Sequence, residues 1–551
     1  MKRLLISIAL CFSLGFAQHI PERYFERLPF NMPKIQPPDI PGNVFNIADF
    51  GATGDGITLN SKYIADAIQA CSKAGGGKVI IPPGIWLTGP IELASNVNLH
   101  IEKGAILLFS KRIEDYPIVP HPTPNSKNFG YMTLIYGFNL ENIAITGGGL
   151  VDGSGDIWRP KKKEKYTEAE WKEIIESGGA LNNDGTVWYP SKQAMQAAKY
   201  FDKLNKQNKG ISIEDVRNTR EYLRPNMVEF YGCKNILIEG VTFQNSPKFA
   251  LYPTQCENLI IRNIKVRNPW NAQNGDGIDI NACHNVVVYD CIVDVGDDGI
   301  CLKLGKPDKK RGWNFSCENI IIADCIVYRG HGGFVIGSNT DGGARNVLVR
   351  NCVFSGTDIG LRFKSARGRG GLVENVYIED ISMNDIINEA ILFDLHYVNI
   401  GVGTDPGTSM KKQDFDSSQS IPVFQNFRVS NILCNNSKVA IYINSLPEKV
   451  VRSMVFDGIT ITSKKGVQCH YADSIKFRNV NIISETSPIY ELSNCSNIII
   501  EKSQYTHGID VFLRIRGKDT KGIKLAEIDK KQAKELIKLD SELSTDVVKI
   551  E

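Results

Sequence analysis

A short phrase recurs through the middle of the chain and limits its fold more than any other feature: an asparagine followed by alternating β-branched or leucine positions. It reads KNILIEG, ENLIIRN, HNVVVYD, ENIIIAD, RNVLVRN and ENVYIED, with the asparagines at Asn235, Asn258, Asn285, Asn319, Asn346 and Asn375. The steps between them are 23, 27, 34, 27 and 29 residues. Echoes stand at Asn142, Asn426 and Asn497. Alternating apolar runs bounded by Asn, Gly and Asp spell strands and turns rather than helices. Units of this size with turns of variable length are what a parallel β-helix needs, because each coil pairs only with its neighbours and its inward residues stack in register. Propeller blades also repeat, but they are longer and more aromatic. The expectation is an all-β, single-domain right-handed parallel β-helix, which also removes the inference of several domains from a length of 551 residues.

The cysteines follow the same register. Cys256, Cys283 and Cys317 lie two residues before a repeat asparagine, and Cys291, Cys325 and Cys352 lie six after one. Stacked thiols of this kind read as small buried hydrophobes, with disulfide pairing as the minority alternative. No CxxC pair or Cys/His cluster has metal-ligand spacing.

A solenoid must cover its open ends. Residues 58–76 read as an amphipathic helix closed by glycines, an N-terminal cap, and residues 526–543 as a polar helix over the last coil, within a helical tail at 526–551. Residues 18–43, rich in proline, read as an extended arm, and residues 44–525 as the β-helix itself. The coil period breaks between about 158 and 224, where two helical stretches are expected. The first carries a Thr167/Glu170 capping box and a Gly178-Gly179 stop. This insertion is either a solvated excursion or a wall across one end of a groove.

The N-terminus places Lys2 and Arg3 before an apolar run, with Gly15 and Ala17 at the small positions before a cut. That is a signal peptide over residues 1–17, which implies a secreted or periplasmic protein. A formal net charge of +3 gives no general attraction to nucleic acid or to membranes. Local cations must therefore supply any affinity for an acidic substrate, and a monomer is expected.

Four acid- and glycine-bearing segments recur on consecutive coils: NGDGID (274–279), GDDGICLKLG (296–305), GHGG (330–333) and RFK (362–364). Strand interiors avoid Asp and Gly, and one DG or DD pair alone is an ordinary turn. Four in order need another cause. Asp297 stands 12 residues after Asn285 and His331 stands 12 after Asn319, so the two should stack one coil apart. Arg362 and Lys364 are i and i+2, on one face of a strand. Glycosidic hydrolysis needs one carboxylic acid to protonate the leaving oxygen and one carboxylate to activate water or attack carbon. Crowding Asp276, Asp297 and Asp298 raises the proton affinity of at least one, while the two cations suit the carboxylate of an acidic sugar.

These segments resemble the hallmarks of glycoside hydrolase family 28, the polygalacturonases: N-T-D, (G/Q)-D-D, G-H-G and R-I-K. They stand here as Asn274-Gly275-Asp276, Gly296-Asp297-Asp298, Gly330-His331-Gly332 and Arg362-Phe363-Lys364. The likeness runs from about residue 44 to 500. It implies an inverting, exo-acting pectin hydrolase with neither cofactor nor metal. Asp297 would be the general acid, Asp276 and Asp298 would hold the attacking water, and His331 would sit beside the acid. Asn274, Arg362, Lys364 and Tyr397 would bind substrate. The chain departs from the pattern at Gly275, at Gly299 (a cysteine in many fungal members) and at Asn339 (Glu in related exo-acting bacterial members). The resemblance leaves a hydrolase of rhamnogalacturonan oligosaccharides as the alternative, although that divergent branch lacks the histidine and the R-x-K pair. Behind it come a calcium-dependent pectate lyase and a non-catalytic β-helical glycan binder.

Overall fold

The computed structural model describes residues 19–121, 128–207, 209–305, 316–397 and 421–551; the leader expected at 1–17 lies outside them. The repeats wind into a right-handed parallel β-helix, with strands stacked coil upon coil in long parallel sheets. The repeat asparagine explains itself. Each one adopts a left-handed conformation, with φ between 53° and 59° from Asn142 to Asn426, which asparagine tolerates better than most residues. Each side-chain amide then donates to the carbonyl of the asparagine one coil earlier, at 3.0 Å from Asn235 to Asn142 and 3.1 Å from Asn285 to Asn258. The ladder continues through Asn319, Asn346, Asn375 and Asn426.

A ten-stranded sheet begins with Ile278–Asn281, Asp298–Lys303, Gly332–Ile336, Leu361–Lys364, Glu389–Asp394 and Val439–Asn444. Its inward ladder runs Ile278, Ile300, Phe334, Leu361, Ile391, Ile441. Phe363 also turns inward and stacks on Phe393 with ring centres 4.5 Å apart. Alternation therefore sends its neighbours Arg362 and Lys364 outward. The twelve described cysteines are buried and free, and most of their thiols donate to backbone carbonyls, as Cys256 does to Phe230 O at 3.3 Å.

The N-terminal cap is a helix, Ser61–Lys73, which buries Ile64, Ala67, Ile68 and Cys71 on the first coil. Residues 19–43 cross the outer face of the helix, where Ile20, Tyr24 and Ile35 pack on Leu237, Ile260, Val287 and Tyr289. The C-terminal end corrects the sequence reading. Residues 526–543 form no helix; Ala533–Leu539 is a strand paired in parallel with Ile509–Arg516. Lys, Glu and Ala favour a helix locally, but the open edge of the last coil offers a full ladder of hydrogen bonds, and tertiary pairing overrides propensity. The insertion is also richer than two helices. It holds Glu168–Glu176, with the expected capping box, Lys192–Lys206 and a third helix, Ile213–Thr219. A small antiparallel sheet ties Lys161–Lys162 and Ala180–Leu181 to Val187–Tyr189.

Candidate active site

The four motifs converge. Asp298 pairs in register with Gly332, which puts Asp297 opposite His331, as the spacing predicts. The offset that joins Ile278 to Ile300 places Asp276 one rung before Asp298. Backbone bonds fix these rungs: His331 N donates to Asp297 O at 2.9 Å and Gly277 N to Asp298 O at 3.0 Å. Gly330 lies at φ 87°, where a side chain would be strained and would also meet Asp297 O at 2.6 Å. One oxygen from each of Asp276, Asp297 and Asp298 lies within 4.8 Å of the others.

Cations thread the cluster. Lys364 Nζ donates to Asp298 Oδ2 at 2.7 Å, and Arg362 Nη1 lies 3.4 Å from Asp298 Oδ1. Lys303, on the outward side of its strand, reaches Asp276 at 3.1 Å, and Asp279 and Asp298 at 3.5 Å each. His331 Nδ1 is 3.2 Å from Asp297 Oδ1, and its Nε2 is 3.7 Å from Asp358. Asn274 N donates to Asp297 Oδ2 at 3.2 Å, while Arg224 holds the Asn274 side-chain oxygen at 2.8 Å. The Tyr397 ring lies 5.6 Å from the Arg362 guanidinium and 5.2 Å from Lys364 Nζ. All eight residues singled out in the sequence thus meet at one patch. Lys303, Asp279, Asp358 and Arg224 join them unforeseen. The first two already lie inside the quoted motifs, at outward positions of strands whose inward residues are apolar, while Arg224 lies at the end of the insertion, outside those motifs.

Charge is shared unevenly. Burial, reinforced by Asp279, raises the proton affinity of Asp276 well above the carboxylate range. Burial lifts Asp279 to about 6 against the opposing pull of Lys303. Burial opposes ionisation of Asp298 as well, but Lys364, Lys303 and Arg362 outweigh it and bring Asp298 to about 2. For Asp297, burial is overcome by His331, with Lys364 and Lys303 helping, so this carboxyl lies well below its ordinary value. Burial opposes a charge on His331, yet Asp297 outweighs it and raises the imidazole above 6.5. Burial therefore raises the proton affinity of Asp276 while that of Asp297 falls, and within the Asp297–His331 pair the proton favours the histidine. The positive charge that faces these acids comes from the chain's own lysines and arginine, the role a divalent ion would take in an all-carboxylate site.

The sign of the pH dependence follows. His331 binds its proton more tightly folded than unfolded. The stability it contributes is complete below the unfolded value and disappears as pH rises through the higher folded one. We expect kcat/KM to fall on the alkaline side at a pH above 6.5, the ordinary imidazole value. His331→Gln should remove that limb; a limb left in place by the substitution overturns the assignment.

Comparison with known proteins adds to the geometry. The model for glycosyl hydrolases family 28 matches residues 172–476. An exo-poly-α-D-galacturonosidase of Dickeya chrysanthemi is 26% identical over 495 residues, covering 84% of this chain and 75% of its own. A protein of Vitis vinifera described as a probable polygalacturonase is 25% identical over 434 residues, covering 76% and 74%. Among solved structures, the hyperthermoactive exopolygalacturonase of Thermotoga maritima superposes with a TM-score of 0.65 at 31% identity, covering 85% of this chain and 93% of its own.

Proposed function

The chain belongs to family 28 of the glycosyl hydrolases, and from that premise we propose that it releases galacturonic acid from the ends of galacturonan chains with inversion at the anomeric carbon. It is a glycoside hydrolase of the polygalacturonase type. The observation that carries the reading is the triad Asp276, Asp297, Asp298, closed by Arg362 and Lys364 from one strand two coils further on.

Asp297 serves as the acid and Asp298, the ionised member of the water-holding pair, as the base. Asp276 positions the water. Substrate binding readies both partners. A uronate carboxylate competes with Asp298 for Lys364 and Arg362 and adds negative charge, so the proton affinity of Asp297 and of Asp298 rises. The His331 proton then passes to Asp297 and on to the leaving glycosidic oxygen, while Asp298 takes a proton from the attacking water. Lysine contacts to Asp276 and Asp298 make each a poor nucleophile, which favours water attack.

Action at chain ends is supported by the insertion. Its Asn205, Lys209 and Ile211 help line a cavity of about 480 Å³ with Phe249 and Tyr252 of the sheet face. Phe249 lies 5.4 Å from Lys303 Nζ, so the cavity opens beside the acids. A wall there suits a terminal sugar better than a polymer running through. With oligogalacturonides, monomer is expected from the first time point, appearing first as the β-anomer by proton NMR. A ladder of oligomers sinks exo action, first-formed α-anomer sinks inversion, and products absorbing as unsaturated uronides sink hydrolysis itself.

A further inference from the structure

The lysine-rich start of the insertion has no place in the coil register, yet it brings an ammonium to Trp270, on the coil before Asp297. Lys165 Nζ donates to the carbonyl oxygen of Trp270 at 3.3 Å and lies 5.6 Å from the centre of the Trp270 ring. Burial lowers its proton affinity, and the charges of Asp297 and Asp358 act against that. Lys303, Arg362 and Lys364 each hold Asp298. Among the described residues, by contrast, no carboxylate comes within ion-pair distance of Lys165 Nζ. Trp270 is 49% exposed, although its backbone is pinned. Its carbonyl oxygen would lie 2.3 Å from a Cβ at Gly296, so only glycine fits beside the acid there. The backbone of Trp270 is thus fixed against the residue that precedes Asp297, and its side chain is half exposed.

An exposed indole presents an apolar platform for a sugar ring, and a partly desolvated ammonium beside it is a donor for a carboxylate. Trp270 lies on the coil before Asp297, whereas Arg362 and Lys364 lie together on a coil after it. We infer that Lys165 and Trp270 form a second uronate site across Asp297 from Arg362 and Lys364, so that the sugars on both sides of the cleaved bond are recognised as acids. This rests on the galacturonan reading above and adds residues to it: a galacturonate next to a neutral sugar engages only one of the two sites.

Binding tests this apart from turnover. Trigalacturonate titrated into Asp297→Asn protein should bind about tenfold more tightly than into the Asp297→Asn/Lys165→Met double variant. Lys165→Arg in place of Lys165→Met should restore most of the affinity, and melting temperatures should agree. A trisaccharide with a neutral sugar at the position served by Lys165 should bind both proteins alike. Equal affinity of the two proteins for trigalacturonate overturns the second site, as does an equal loss for the neutral-flanked sugar. Tight trigalacturonate binding without hydrolysis by the unaltered enzyme sinks the proposed function and leaves the second site standing. No binding to either variant overturns both.

Discussion

Replacement of Asp297 by Asn is expected to lower kcat by about three orders of magnitude, the usual range for loss of a general acid, with KM little changed. The side chain keeps its size but only one acceptor oxygen, so one of the two donors, Asn274 N on Oδ2 or Asp298 N on Oδ1, loses its partner; the backbone bond from His331 N to Asp297 O does not involve the side chain, and the coil should still fold. What disappears is the site of the proton and the charge that raises His331. The residual activity should therefore lose its alkaline limb at lower pH than the unaltered enzyme, because an imidazole without its carboxylate gives up its proton sooner. Steady-state kinetics on an oligogalacturonide across pH measures both effects. Retention of more than about a tenth of the rate transfers the role of acid elsewhere, with Asp276, the carboxyl that burial keeps protonated, as the first candidate.

The second large effect concerns Lys303. Its ammonium is the contact that Asp276 and Asp279 share, and both carboxyls are buried, at 2% and 0% exposure. Asp279 meets it at ion-pair distance only, and neither of its oxygens has a hydrogen bond. Lys303→Met keeps most of the apolar stem but leaves two carboxyls without a cation. Breaking a buried pair from one side costs about 3–5 kcal/mol, and that loss is expected in urea unfolding at pH 7.5. Asp276 and Asp279 already hold protons above the ordinary carboxylate value, and without the lysine they hold them more tightly still. A group raised in the folded state contributes stability that is present below its unfolded value and lost as pH climbs through the folded one. The variant should therefore come much closer to the unaltered protein at pH 4, and adding Asp279→Asn should recover part of the loss at pH 7.5. An equal deficit at both pH values shows that packing rather than charge is responsible.

Legibility in the sequence followed the period. Wherever a residue could be counted from a repeat asparagine, its place was readable: the step from Asn285 to Asn319 alone sets Asp297 opposite His331. Arg362 and Lys364 were readable from their i, i+2 spacing about an inward Phe363. Lys303 and Asp279 were equally available to alternation, but a lysine at the end of a strand looks like an ordinary solvated face until its partners are known to be buried. Lys165 was beyond reach. It comes from the insertion, which has no register with the coils, so its position depends on how three helices and a small sheet dock. The C-terminal strand was hidden for a related reason. The residues of 533–539 suit a helix taken alone, and only the unfilled edge of the preceding coil decides otherwise.

The asparagine ladder also bears on how such a chain changes over generations. Its rungs close across 23 residues at one step, 51 at another and 93 at the step that spans the insertion. Each rung re-zeroes the winding, so the length of chain looped out between two rungs leaves no trace in the coils that follow. The acids thus sit on a frame that forgets its insertions. A segment that sets where a polymer must stop can grow, shrink or be exchanged while the chemistry beneath it stays in phase.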